Sequence, residues 1–196
     1  ITLDNCDIGI ELLDLRRTMI WEQCPISDYF HACEDKQVVR DRVFDLIRNS
    51  NLSIEATILE KSKAQPQTKT SNERFYQYGW FLHLKGIHRR LKSDDFFYPA
   101  DPGRELVFTT ASVGTRRQQA AFTAAVNDVV QQYMRSIKWV THFCPSMADP
   151  CLQIADYCTW AIQRKWERGD TKAYDLIKNK IAHEYESWAH GTTHYY

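Results

Sequence analysis

Leu52-Ser53-Ile54-Glu55-Ala56-Thr57-Ile58-Leu59 alternates apolar and polar side chains without a break. Leu52, Ile54, Ala56 and Ile58 fall on one side, and Ser53, Glu55 and Thr57 on the other. That period of two marks a strand with one face against a core. Glu60 keeps the parity of the apolar set, and a basic loop, 61–69, with Pro66 inside it, follows. Thr70 with Glu73 three residues on is a capping-box signature, so a helix is expected from there to about Lys92. Phe75, Tyr78, Trp80, Phe81, Leu82 and Leu84 make that helix apolar on most sides, which predicts that it is sandwiched. Upstream, the spacing predicts a helix over 4–23, with Ile8, Leu12, Leu15 and Met19 on one face, Asp4 as cap and Pro25 as stop. A second amphipathic helix is expected over 34–48 through Val39, Val43, Leu46 and Ile47.

Downstream, Asp101-Pro102-Gly103 reads as a turn before a short strand, Glu105–Ala111. A helix over 115–135 is capped by Thr115 and turns Phe122, Ala125, Val129 and Tyr133 inward. Ile137, Trp139, Thr141 and Phe143 give a third strand, 151–168 is helical, and Tyr174, Ile177, Ile181 and Trp188 define a last helix. Strands alternating with helices mean an α/β layer structure with a mainly parallel sheet. No internal repeat or low-complexity tract is visible, so 1–196 is expected to be a single domain. Three strands are few for six helices, and so thin a sheet leaves an edge uncovered. Either strands stand upstream of this sequence or another chain supplies the cover.

The 196 residues are 43% apolar and 26% charged, a globular composition that excludes a disordered chain. No apolar run approaches the roughly 20 residues that cross a bilayer. No basic-then-apolar leader opens the sequence, so a cytoplasmic location is expected, with no membrane partner. Net charge is zero, but 61–92 holds eight basic residues against the single acid Glu73. Such a local excess attracts polyanions over about 10 Å. The six cysteines form no Cys-x-x-Cys pair, which argues against a zinc ribbon or a disulfide framework. Cys151 and Cys158 share a helix face and read as buried thiols. His190 and His194 have the spacing of zinc ligands, but Gly191 stands between them and no cysteine pair accompanies them.

Three acids stand out. Glu60 follows the strand at its C-terminal end, where ligands gather in parallel sheets. Asp156 lies inside an apolar helical run, where an acid is costly unless paired, hydrogen-bonded or bound to a cation. Asp149 precedes Pro150 at the start of that helix, a capping position. Converging carboxylates hold hard divalent ions such as magnesium or manganese. Two such ions about 4 Å apart activate water and stabilise the leaving oxygen in phosphodiester cleavage. Asp156, Asp149 and Glu60 are therefore the candidate catalytic residues, and Asp156 and Asp149 the candidate metal ligands. Lys61, Lys63, Arg116 and Arg117 are candidates for steering phosphates. His31, after Tyr29-Phe30 and before Glu34 and Asp35, is a candidate at the substrate site as a proton shuttle, a role that requires it to lie close to Asp156.

Leu152-Gln153-Ile154-Ala155-Asp156-Tyr157-Cys158-Thr159-Trp160-Ala161-Ile162, continuing to Asp170, closely resembles the end of the domain-of-unknown-function 3800 family. Phe30-His31-Ala32 with the helix after it, Leu59-Glu60-Lys61-Ser62-Lys63-Ala64 closing a strand, and the basic helix after Glu105–Ala111 fit the same family. The resemblance spans nearly the whole chain, and its specific motif is C-terminal. It implies a ribonuclease H-like fold: a mixed five-stranded sheet flanked by helices, with acids clustered at strand ends. It also implies a metal-dependent nuclease, in some members set in bacterial phage defence or mobile elements. The family opens with a strand ending in Asp-Glu-Ser-Gly, which this sequence lacks, so its first antiparallel strands are expected to be missing here, 1–3 standing as the last of them. Thr109-Thr110 occupies the place where many relatives carry an Asp.

Two functions follow. The first is a magnesium- or manganese-dependent, ribonuclease H-like nuclease cleaving RNA or DNA. The second is a catalytically degenerate subunit of the same fold that binds nucleic acid or a protein partner, a second copy included. Six Trp, ten Tyr and nine Phe, with Tyr195-Tyr196 at the end, exceed what a small core hides and suit an interface.

Overall fold

In a computed structural model, residues 1–93, 105–112, 115–133 and 138–194 are described, with the side chains of 90–93 excepted. The expected turn at Asp101-Pro102-Gly103, and Arg135, Ile137, Tyr195 and Tyr196, lie outside the described residues, as do the side chains of Arg90 and Lys92. Among the described residues the order is α1 (Asp7–Trp21), α2 (Gln37–Asn49), β1 (Ile54–Ile58), α3 (Asn72–Ser93), β2 (Glu105–Ala111), α4 (Arg116–Tyr133), β3 (Lys138–Cys144), α5 (Pro150–Arg168), α6 (Lys172–Ile177) and β4 (Ile181–Glu186). No described helix is long and apolar enough to cross a membrane.

The chain is mixed α/β, and its strands pair as β1 with β4 and β2 with β3. Ile58 accepts from the Ser187 N–H at 3.0 Å, which sets the C-terminal ends of β1 and β4 side by side. Lys138 reaches Glu105 at 3.5 Å, which does the same for the N-terminal ends of β2 and β3. Both pairs are thus parallel. Thr2 and Ser53 add an antiparallel bridge, with N–H to carbonyl distances of 2.8 and 3.2 Å, at the place where 1–3 was expected as a strand.

The chain divides into two compact units, Ile1–Ala56 with Cys144–His183, and Thr57–Phe143 with Glu184–Tyr196. In the first, α1, α2, α5 and α6 pack on one another. Ile8, Leu12 and Met19 of α1, Val39, Val43 and Ile47 of α2, and Ile154, Tyr157 and Cys158 of α5 are buried there, the faces that helical periodicity assigns. The outer side of α1 leaves Ile10, Leu13, Ile20 and Trp21 exposed. In the second unit α3 packs along α4 around Leu84, Phe122, Val126, Val129 and Val130, with Leu106, Phe108, Trp139 and Phe143 from the strands against them. Gly79 permits close approach in α3, since a Cβ there would stand 2.6 Å from Leu59 Cδ1. At the head of α4, Thr115 Oγ1 accepts from the Gln118 N–H, while Gln118 Oε1 accepts from the Thr115 N–H at 2.8 Å, a reciprocal cap.

Several expectations need correction. Asp4 does not cap α1, which starts at Asp7 with Cys6 before it and no side-chain cap hydrogen bond, and Cys151 is half-buried rather than buried. The last helix stops after α6, and Ile181 and Tyr185 belong to strand β4. A periodicity of four apolar residues over 174–188 cannot distinguish a helix from a short helix plus a strand, and β-branched Ile181 favours the strand. The cap of α3 is Ser71, not Thr70: Ser71 Oγ accepts from Arg74 N–H at 3.2 Å. Glu55 does not face water. It is 7% exposed, and its carboxylate accepts from Thr2 Oγ1 at 2.9 Å and Ser53 Oγ at 2.8 Å, which makes burial tolerable. Tyr133, in the last turn of α4, is 38% exposed rather than inward, and its ring takes the Lys85 ammonium at 5.8 Å.

Candidate functional site

Helix α5 starts where its sequence says it should. Asp149 Oδ1 accepts from the Cys151 and Leu152 N–H groups at 2.8 and 3.2 Å, and Pro150, which has no N–H to lose, takes the first helical position. Gly169, at φ +64°, ends the helix in the left-handed region, and its N–H and that of Asp170 satisfy the carbonyls of Lys165 and Arg164.

Gln153, Asp156 and Tyr157, spaced i, i+3 and i+4, share one side of this helix. Onto it folds the segment 30–35 that joins α1 to α2. Three successive backbone N–H groups of that segment end on side chains: Phe30 on Gln153 Oε1 at 3.1 Å, His31 on Asp35 Oδ2 at 2.9 Å, and Ala32 on Asp156 Oδ2 at 2.9 Å. The Arg40 guanidinium donates to the Ala32 and Asp35 carbonyls. The Tyr157 phenol donates to Asp35 Oδ2, and burial, with the Asp35 carboxylate next in weight, pushes its pKa well up. These hydrogen bonds tie the segment to α5.

The imidazole of His31 stands in this frame. Its Nδ1 lies 3.0 Å from Asp156 Oδ2, 125 residues away in sequence. A carboxylate accepts and cannot donate, so Nδ1 carries the proton in this contact, and it is the neutral tautomer with that proton that would offer the Nε2 lone pair. On the Nε2 side stand Glu34 Oε1 at 4.0 Å and Cys33 Sγ at 3.7 Å. The closeness of His31 to Asp156 that the proton-shuttle reading required is present. The carboxylate is compensated by an imidazole and a backbone N–H, not by lysine or arginine.

Cys33 also opens onto a cleft of about 350 Å³ in the first unit, lined by Arg40, Trp160, Arg164, Glu167 and Arg168 among others. Arg40 and Arg164 lie 5.2 and 5.1 Å from the centre of the Trp160 ring. Arg164 is also paired with Asp170, through Nε at 2.9 Å. Three guanidinium groups stand here against two carboxylates, Glu167 in the lining and Asp170 on Arg164, which leaves the cleft a small positive excess.

Of the remaining candidates, only Asp149 shares the first unit with Asp156. Asp149 and Asp156 are seven residues apart on one helix, about 10 Å along its axis at about 1.5 Å per residue, and Asp149 is spent on the cap. Glu60 belongs to the second unit and follows β1 rather than ending it. Its carboxylate accepts from Lys63 Nζ at 2.8 Å and Ser62 Oγ at 2.7 Å, and the Lys63 hydrogen bond, followed by Ser62, holds its pKa below the usual carboxylate range. Lys63 is thereby occupied as well. Lys61 donates to Asn72 at 3.5 Å and lies over the Phe75 ring. Arg116 and Arg117 are exposed in the first turn of α4. Magnesium takes several converging oxygens in near-octahedral array. Around His31 the first unit sets Asp156 on the imidazole, Asp35 on the His31 N–H and the Tyr157 phenol, and Glu34 beside a thiol, an arrangement of nitrogen, sulfur and already bonded oxygens that does not suit that ion.

Sequence reasoning passed over Asp35, Gln153, Tyr157 and the three arginines. Three polar residues at i, i+3, i+4 in an otherwise apolar helix were a visible signal for a second segment docking there. Which segment docks was not visible. No family model, curated protein or solved structure matches this chain.

Proposed function

We propose that this chain is a ribonuclease H-like nucleic-acid-binding module whose phosphate contacts are made in the arginine-lined cleft beside His31 and Asp156. The observation that carries the reading is the convergence of Arg40, Arg164 and Arg168 with Trp160 on one cleft. Guanidinium groups match phosphate oxygens in pairs, and a neighbouring aromatic face suits a base. The fate of the expected catalytic acids supports binding over cleavage, because Asp149 caps a helix and Glu60 pairs with Lys63. Parallel strand pairs with flanking helices suit the ribonuclease H-like architecture that the C-terminal motif resembles.

A second reading, phosphodiester hydrolysis, is favoured by one contact: His31 held by Asp156 through Nδ1, which in the neutral ring directs Nε2, beside Cys33 and Glu34, to take a proton from water. One experiment separates the two. Fluorescence anisotropy with labelled single- and double-stranded RNA and DNA, at several salt concentrations, reads binding. Incubation of the same strands with magnesium, manganese or a chelator reads cleavage. The first reading expects salt-sensitive binding and intact strands in every arm. Cleavage that Asp156→Ala abolishes establishes the second, and no binding at low salt removes both.

A further inference from the structure

We infer that His31, Cys33 and Glu34 form a binding site for a zinc-class transition-metal ion, with Asp156 as the carboxylate that orients the histidine. One donor atom from each of the three lies within 4.8 Å of the other two. Donors on a tetrahedral zinc stand about 3.5 Å apart, given bond lengths near 2.0–2.3 Å. Glu34 Oε1 is 4.0 Å and Cys33 Sγ 3.7 Å from Nε2. Sγ is also 3.9 Å from Nδ1, so the thiol lies alongside the ring rather than on the Nε2 lone-pair axis. Cys33 and Glu34 are exposed, so turning both side chains onto that axis disturbs no packing.

The second argument is the tautomer. Metal-ligating histidines commonly give their other N–H to a carboxylate, which fixes the ring and strengthens the free nitrogen as a ligand. Asp156 does this at 3.0 Å and is itself fixed by the Ala32 N–H. Hydrogen bonding of the 30–35 backbone to Gln153, Asp35 and Asp156 places the cluster before any ion arrives. The third argument is donor type. Imidazole, thiolate and carboxylate select zinc and its neighbours, whereas magnesium takes oxygen alone. Three protein donors leave the fourth position of a tetrahedral ion to water or substrate, and Cys33 lines the arginine cleft.

The test uses cobalt(II) as a spectroscopic stand-in, titrated into the full chain without nucleic acid, so that it succeeds or fails apart from the reading above. One equivalent is expected to raise a thiolate-to-cobalt charge-transfer band that zinc displaces and excess magnesium leaves unchanged. Cys33→Ser is expected to abolish the band, while Cys6→Ser and Cys24→Ser keep it. His31→Ala is expected to weaken binding by about tenfold or more. Asp156→Asn retains an acceptor for the Ala32 N–H, and is expected to weaken binding about 10- to 100-fold with the band still present. Circular dichroism on each variant checks the fold. No band in the unaltered protein, or a band that survives Cys33→Ser, overturns the site. Unchanged affinity in Asp156→Asn overturns the orienting role.

Discussion

Tyr157 and Asp35, 122 residues apart in sequence, share one hydrogen bond from phenol to carboxylate, and Asp35 is only 5% exposed. The same oxygen accepts the His31 N–H, so one buried acid ties the connecting segment to α5 and positions the histidine beside Asp156. Tyr157→Phe removes the phenol and leaves Asp35 short of a partner in a buried place. A loss of about 1–3 kcal/mol is expected, read from the urea unfolding midpoint with little change in slope. An unchanged midpoint means that this bond does not hold the segment.

Asp156 serves the Ala32 N–H and the His31 ring through a single oxygen. Asp156→Ala orphans both donors, whereas Asp156→Asn keeps an amide oxygen for Ala32. Native-state hydrogen exchange at Ala32 is therefore expected to quicken clearly in the alanine variant and little in the asparagine variant. Equal quickening in both would show that the negative charge, not the acceptor, secures the loop.

Much of this arrangement was legible in the sequence, because local rules governed it. The faces of α1, α2 and α5, the Thr115 cap and the Asp149-Pro150 start each depend on residues within a turn or two of one another. Two misses trace to partners far along the chain. Glu55 is buried because Thr2, 53 residues away, satisfies it. Asp35 and Tyr157 find each other only after folding. The Glu60–Lys63 pair, three residues apart, was one of the two roles its sequence allowed, the other being a site acid at the strand end. The acid within the apolar run did mark a contact, with His31 and a backbone N–H, but its side chain is 36% exposed, so burial alone does not require one.

Stability is expected to fall at alkaline pH through the buried thiol of Cys158 and the half-buried thiol of Cys151. Burial pushes Cys158 from an ordinary 9.0 up to about 12, and pushes Cys151, with Cys6 beside it, up to about 11. Between pH 9 and those values the folded chain keeps protons that the unfolded chain has released, so unfolding gains ground as pH rises. The contribution is whole below pH 9 and lost progressively above it. Cys158→Ala is expected to flatten the fall, by up to about 1.4 kcal/mol per pH unit, in urea titrations at pH 8 and 10. Parallel curves for the two proteins contradict the assignment.

Gly169 holds a backbone conformation that side chains resist, yet a Cβ there meets no atom within 4 Å. Strain alone therefore sets the effect of substitution. Gly169→Ala is expected to cost about 1 kcal/mol and Gly169→Asn less, since asparagine tolerates the left-handed region. Thermal melts of the two variants decide it, and equal losses would point to a cause other than φ.

The cleft and α4 offer different arginines to a nucleic acid, and salt dependence distinguishes them. Each phosphate contact contributes about 0.7–0.9 to the slope of log affinity against log salt. Arg168 is exposed in the last turn of α5 and lines the cleft, so Arg168→Ala is expected to lower the slope by about one contact without harming the fold. Arg40 is less clean a probe, because its guanidinium also holds the Ala32 and Asp35 carbonyls and its removal loosens the segment. Arg116→Ala with Arg117→Ala tests the rival surface at the head of α4. A slope that falls in that double variant and not in Arg168→Ala moves the phosphate contacts to the second unit and leaves the cleft without its proposed role.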